Sequence, residues 1–98
     1  MKDLLWWLCI GSKGGINRVK IINLLQDNPY NAYNISKILE LNYKTVRHHL
    51  KLLSEHNVVV TPPGVKYGAV YFLSEDMKEN YELFEKIQEN VTKIGFKK

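Results

Sequence analysis

Cysteine is almost missing from this chain: Cys9 stands alone among 98 residues. One thiol cannot close an intrachain disulfide and cannot build a multi-cysteine zinc site, so a reducing, cytoplasmic setting is expected. Long apolar runs are missing too. The stretch Leu4 to Ile10 looks like a signal core, but no small-residue cleavage site follows. It also falls far short of the roughly 20 residues that cross a bilayer. It reads as a packing segment, and no membrane contact is expected, because Trp6-Trp7 has only Lys2 and Lys13 beside it where an interfacial anchor needs a basic face. The glycine-rich piece Gly11-Ser12-Lys13-Gly14-Gly15 lacks phosphate-loop spacing and reads as a helix break. No nucleophile and base stand at a recognisable spacing, so neither an enzyme nor a cofactor is expected. His49 and His56 lie seven apart and could share a metal with Cys9, yet without Cys-x-Cys or His-x-x-x-His spacing no metal site is expected.

What is present is ordinary globular material: 45% hydrophobic and 24% charged residues, enough for one modest domain. A core of that size leaves subunit association as a way to cover remaining apolar surface. The net charge of +4 is unevenly spread. Residues 1–74 carry nine Lys/Arg against four acids, a charge of +5, whereas residues 75–98 carry five Lys against six acids, −1. The basic part is placed to meet a polyanion, and the tail to do something else.

Periodicity and punctuation order the chain. Leu4–Ile10 is a short apolar helix, and 16–27 is a second, with Val19, Ile21, Ile22, Leu24 and Leu25 at helical spacing before Asn28-Pro29. Asn34 is expected to cap a third helix carrying Ile35, Ile38, Leu39 and Leu41. Asn42 is expected to cap a fourth that runs to about Glu55, with Asn57 as a left-handed stop. Two β-rich runs, 58–61 and 69–73, flank the turn-forming segment 62–68 and make a hairpin. Ser74 then caps a last helix.

The fourth helix is the unusual one. Lys44, Arg47, His48 and Lys51 follow i, i+3, i+4, i+7 spacing and share one face, while Val46, Leu50 and Leu53 point the other way. No acid is interspersed among those cations. Solvated faces normally mix signs because like charges repel along a helix, so this one is expected to be relieved by an anionic partner. A short helix, a brief turn (Leu41-Asn42-Tyr43) and a second helix with basic residues near its start form a helix-turn-helix, whose second helix enters the DNA major groove. The expected DNA contacts are Asn42, Tyr43, Lys44, Thr45, Arg47, His48 and Lys51, with Lys66 at the hairpin tip on the adjacent backbone or minor groove.

Residues 42–53, Asn-Tyr-Lys-Thr-Val-Arg-His-His-Leu-Lys-Leu-Leu, resemble the S-x-x-T-V-S-x-H-L-x-x-L recognition helix of ArsR-like winged-helix transcription regulators. Thr45-Val46, His49-Leu50 and Leu53 match, with Asn42 in the cap position. Val70-Tyr71-Phe72-Leu73 is similar to the close of that family's wing, and archaeal and viral winged-helix proteins of this size look alike. The resemblance covers about residues 16–74. It implies a mainly α winged helix-turn-helix with a small β-hairpin, a structural role for His49, and double-stranded DNA as partner. The cysteine motif of the family's metal-sensing members is absent.

The terminal segments are expected to serve dimerisation. Met77, Tyr81, Phe84, Ile87, Val91 and Ile94 form a helical stripe too long for a small domain to cover alone, and a twofold partner meeting them together with Leu5, Trp6 and Leu8 would bury it. The chain therefore divides into a packing or dimerisation segment (1–14), a DNA-binding domain (15–74) and a dimerisation helix (75–98). The expected function is a homodimeric, sequence-specific repressor. The other reading is a winged-helix protein-interaction module in a larger nucleoprotein assembly.

Overall fold

The computed structural model describes the backbone of residues 1–65 and 68–95, and side chains as far as residue 90 apart from 66 and 67. Lys66, Tyr67 and Lys97-Lys98, and the side chains of Val91 and Ile94, thus lie outside the described residues. The elements are α1 (Lys2–Trp6), continued by a π-helical turn (Trp7–Gly11), α2 (Gly15–Asp27), β1 (Tyr30–Asn31), α3 (Ala32–Leu39), α4 (Tyr43–Glu55), β2 (Val59–Val60), β3 (Val70–Leu73), α5 (Glu75–Glu79) and α6 (Tyr81–Gly95). The sheet is antiparallel in the order β1-β3-β2, with Tyr30 opposite Tyr71 and Val59 opposite Leu73. This is a winged helix-turn-helix: α3 and α4 form the helix pair, and β2–β3 the wing.

Local chemistry sets the boundaries. The Asn42 side chain accepts from the backbone N–H of Lys44 (2.8 Å) and Thr45 (3.3 Å), fixing the start of α4 where expected. Asn57 takes the left-handed conformation, φ 57°, just past the helix end. Three boundaries differ from the sequence reading; the first is the end of α3 at Leu39, with Glu40 left-handed at φ 55°, which leaves Leu41 outside the helix. The cap of α3 is Asn31, whose Oδ1 accepts from Asn34 N–H at 2.8 Å, so Ala32 and Tyr33 join the helix. The same Asn31 also ends β1, a strand formed only because β3 arrives alongside it. Downstream of Ser74, the expected single helix is two. Asn80 interrupts it by donating its side-chain N–H to Asp76 O (2.8 Å), the local competition that makes asparagine a poor helix interior.

Ser74 fastens the wing to the helix that follows. Its hydroxyl donates to Asn57 O (2.7 Å) and accepts from Met77 N–H (3.0 Å). One core runs through all segments, including Leu5, Leu8, Ile21, Ile22, Ile35, Val46, Leu50, Leu53, Val58, Met77, Phe84 and Ile87. Of the residues expected at a subunit contact, Leu5, Leu8, Met77, Phe84 and Ile87 are buried within their own chain. The break at Asn80 lets α6 lay its apolar side back onto the N-terminal helix and α2, with α5 against α6.

Candidate nucleic-acid interface

On α4 the burial divides as its spacing requires. Val46, His49, Leu50 and Leu53 are sealed in the core, while Tyr43, Lys44, Arg47, His48 and Lys51 are exposed together, with Asn42 exposed at the cap and Thr45 half-buried. Among the described residues, Lys44, Arg47 and Lys51 make no ion pair, so no carboxylate neutralises the face. Glu55 lies one turn beyond Lys51 and does not bridge to it.

Arg47 sits at the centre. Its Nη1 donates to Tyr43 Oη (3.2 Å) and its guanidinium carbon lies 5.8 Å from the Tyr43 ring centroid. That hydrogen bond pushes the guanidinium pKa further up, leaving a permanent cation aimed outward from the first turns of α4. Lys44, Arg47, His48, Lys51 and Ser54 line a shallow groove whose other wall is Tyr71 of β3. Arg47 and Tyr71 also wall a second cleft with Asn31, Tyr33, Tyr43 and Thr61, where α3, α4 and the base of the hairpin meet. Thr61 Oγ1 closes that base by donating to Val70 O (2.8 Å).

Three residues of this surface were not singled out by sequence reasoning. Tyr33 is 58% exposed with Lys37 Nζ 5.3 Å from its ring centroid, repeating on α3 the Tyr43/Arg47 arrangement of α4. The i, i+4 aromatic–cation spacing shared by 33/37 and 43/47 was a readable signal for them. Tyr71 had none, because its place depends on the β1–β3 pairing.

His49 is 5% exposed and faces Arg18, whose Nη1 lies 3.3 Å from His49 Nδ1. Burial, then the Arg18 charge, then His48, hold its pKa below the ordinary value and keep the ring neutral. Elsewhere His56 lies in a T-shaped ring contact with Trp7, the centroids 6.0 Å apart. Cys9 is buried, and desolvation pushes its thiol up to about 11 despite the nearby Arg18. Of the residues expected at a subunit contact, Trp6 remains 45% exposed, as does its neighbour Trp7. Tyr81 is half-buried and donates to Asn23 Oδ1 (2.9 Å) in its own chain. Among the described residues, no helix is long and apolar enough to cross a membrane.

An exposed cationic helix carried by a helix-turn-helix and a wing is the winged-helix architecture. Residues 17–61 match the family model described as bacterial regulatory protein, arsR family. Solved structures share the fold. The reduced transcriptional regulator YodB of B. subtilis superposes with a TM-score of 0.67 at 19% identity, covering 90% of this chain and 86% of its own. Reduced HlyU of Vibrio cholerae gives 0.62 at 22% identity, over 95% and 87% of the two chains. Wild-type ZitR of Lactococcus lactis in complex with DNA gives 0.56 at 20% identity, over 80% of this chain and 57% of ZitR. A search of curated protein sequences finds no significant match.

Proposed function

We propose that this protein is a sequence-specific DNA-binding transcriptional repressor, acting in the cytoplasm as a homodimer without a cofactor. One observation carries the reading: Lys44, Arg47, His48 and Lys51 stand in solvent together on a rigid, aliphatic-backed helix with no carboxylate partner. α4 enters the major groove. Arg47, held by Tyr43, reads a guanine through its two-pronged donor geometry, Lys44 and Lys51 hold phosphates, and His48 donates to a base or phosphate. Asn42, Tyr43 and Thr45 bring the start of α4 against the backbone, where its backbone N–H groups favour phosphate. Segment 62–68, with Lys66, tracks the neighbouring backbone or minor groove. ZitR, a structural neighbour, is known in complex with DNA, which supports this use of the fold.

Segments 1–14 and 75–98 join two copies. The exposed Trp6-Trp7 edge supplies the contact that the buried residues of the expected stripe do not. Twofold symmetry then places two α4 helices about 34–36 Å apart, on successive major grooves of a pseudo-palindromic duplex. The test is selection of bound duplexes from a random pool combined with a mass measurement in solution. A twofold-symmetric consensus and a dimeric mass are expected. A monomer that enriches no duplex would instead favour a protein-interaction role for the exposed Tyr33 and Tyr43.

A further inference from the structure

The chain buries one guanidinium with no carboxylate beside it. Arg18, in the first turn of α2, is 2% exposed, and its partners are all neutral. Nε donates to Leu8 O (2.6 Å), Nη2 donates to Lys13 O (2.9 Å) and to Ser12 Oγ (2.5 Å), and Ser12 in turn donates to Trp7 O (2.7 Å). These oxygens belong to the C-terminal end of the N-terminal helix and the loop that leaves it, where carbonyl dipoles present their negative ends. The remaining branch, Nη1, reaches His49 Nδ1 on α4 at 3.3 Å. Two glycines make room. Gly14 has φ +87°, and a Cβ there would lie 2.8 Å from the His49 ring; a Cβ on Gly15 would collide with the Cys9 backbone carbonyl.

The arrangement is directional. Arginine has no acceptor, so the branch to α4 exists only when His49 Nδ1 carries no proton and offers its lone pair. We propose that Arg18 is a positioning residue for the DNA-reading helix: it straps the end of the N-terminal helix to His49 of α4, and releases α4 when the His49 ring is protonated. The proposal rests on the reading of α4 as the DNA-contacting helix. The strap joins the segment carrying Trp6 and Trp7 to the helix carrying Arg47 and His48, and Trp7 also meets His56, the residue that ends α4. Placement of the cationic face is thereby tied to the N-terminal helix. The titratable and charged groups around His49 are Arg18 from α2 and His48 on its own helix, with the Cys9 thiol facing Arg18 from the N-terminal segment. None supplies a negative charge near neutral pH, so a protonated His49 meets a cation at hydrogen-bond distance and nothing offsets it.

Two measurements test this. Ring-nitrogen NMR of the intact wild-type chain should find His49 protonated on Nε2 alone near neutral pH, titrating below the ordinary ~6.5. The second uses Arg18→Lys, which keeps the charge and loses the branched donor geometry, on a duplex that the wild type selects. Binding should weaken by about tenfold or more under conditions where urea titration shows both proteins fully folded, the loss expected for a hydrogen bond to a charged group. A role confined to stability would leave that affinity unchanged and overturn the proposal. So would a His49 proton on Nδ1, or a ring titrating at or above the ordinary value. If Arg18→Lys does not fold, the wild-type ring measurement decides alone. If the wild type selects no duplex, the proposed function fails by itself, and the ring measurement still reports on the strap.

Discussion

Arg47 and Lys51 carry the same charge on the same face of α4, yet they differ in what they can recognise. A guanidinium held by Tyr43 presents paired donors that fit one base edge, whereas an ammonium is a point charge that any phosphate satisfies. Arg47→Ala is therefore expected to erase preference at one base position, a loss of about 1–3 kcal/mol in discrimination, and Lys51→Ala to weaken all duplexes alike. Competition binding against single-base variants of the selected site separates the two. Equal losses on every sequence for both would remove Arg47 as the reader. Two buried titratable residues make further claims. His49 has a lowered pKa in the fold, so below the ordinary ~6.5 the unfolded chain takes up a proton that the folded chain resists. Its contribution to stability is intact above that value and is lost as pH falls below it. Urea midpoints measured from about pH 7.5 down to about 5.5 should drop in the wild type and drop less in His49→Gln. Cys9, pushed up to about 11 by burial, should resist alkylation near neutral pH until the chain unfolds, and fast labelling of the native protein would contradict its sealed position.

At the scale of elements, caps and packing explain why α4 is held rigidly. Asn42 satisfies two of the N–H groups at its start, so Asn42→Ala should cost about 1 kcal/mol and speed hydrogen exchange in the first turn of α4. Leu50 is fully buried behind the cationic face, and Leu50→Ala should cost about 2–5 kcal/mol in a denaturant titration. A loss under about 1 kcal/mol would mean that α4 is poorly backed. These elements were legible because each is written locally: the Asn42 cap, the 46/50/53 spacing, the Asn57 stop, the Ser74 cap. The parts that were not legible depend on distant partners. Asn31 rather than Asn34 caps α3 because β3 pairs with residues 30–31, and no local pattern announces that pairing. The bond from Asn80 to Asp76 breaks a run whose apolar spacing alone reads as one continuous helix.

For the whole molecule, Met77, Phe84 and Ile87 of the apolar stripe are covered within the chain, α6 lying against the N-terminal helix and α2. Sequence spacing shows that a face must be buried but not by which neighbour, which is why Leu5, Leu8, Met77, Phe84 and Ile87 were expected at a subunit contact. The charge asymmetry was legible as a total and less so in detail. Arg18 counts toward the basic excess in sequence, but in the fold it is spent inside, on the strap to His49. Lys44, Arg47 and Lys51 remain outside together on one face of α4. If that face binds duplex DNA, each phosphate it neutralises releases counterions. The most direct measurement is equilibrium binding of the selected duplex across about 50–200 mM salt, for the wild type and for Lys51→Ala. Affinity should fall steeply with salt, and Lys51→Ala should flatten the log-log slope by about 0.9 for each phosphate that the variant no longer neutralises. A wild-type slope near zero, or one that Lys51→Ala leaves unchanged, would contradict the assignment of α4 to DNA.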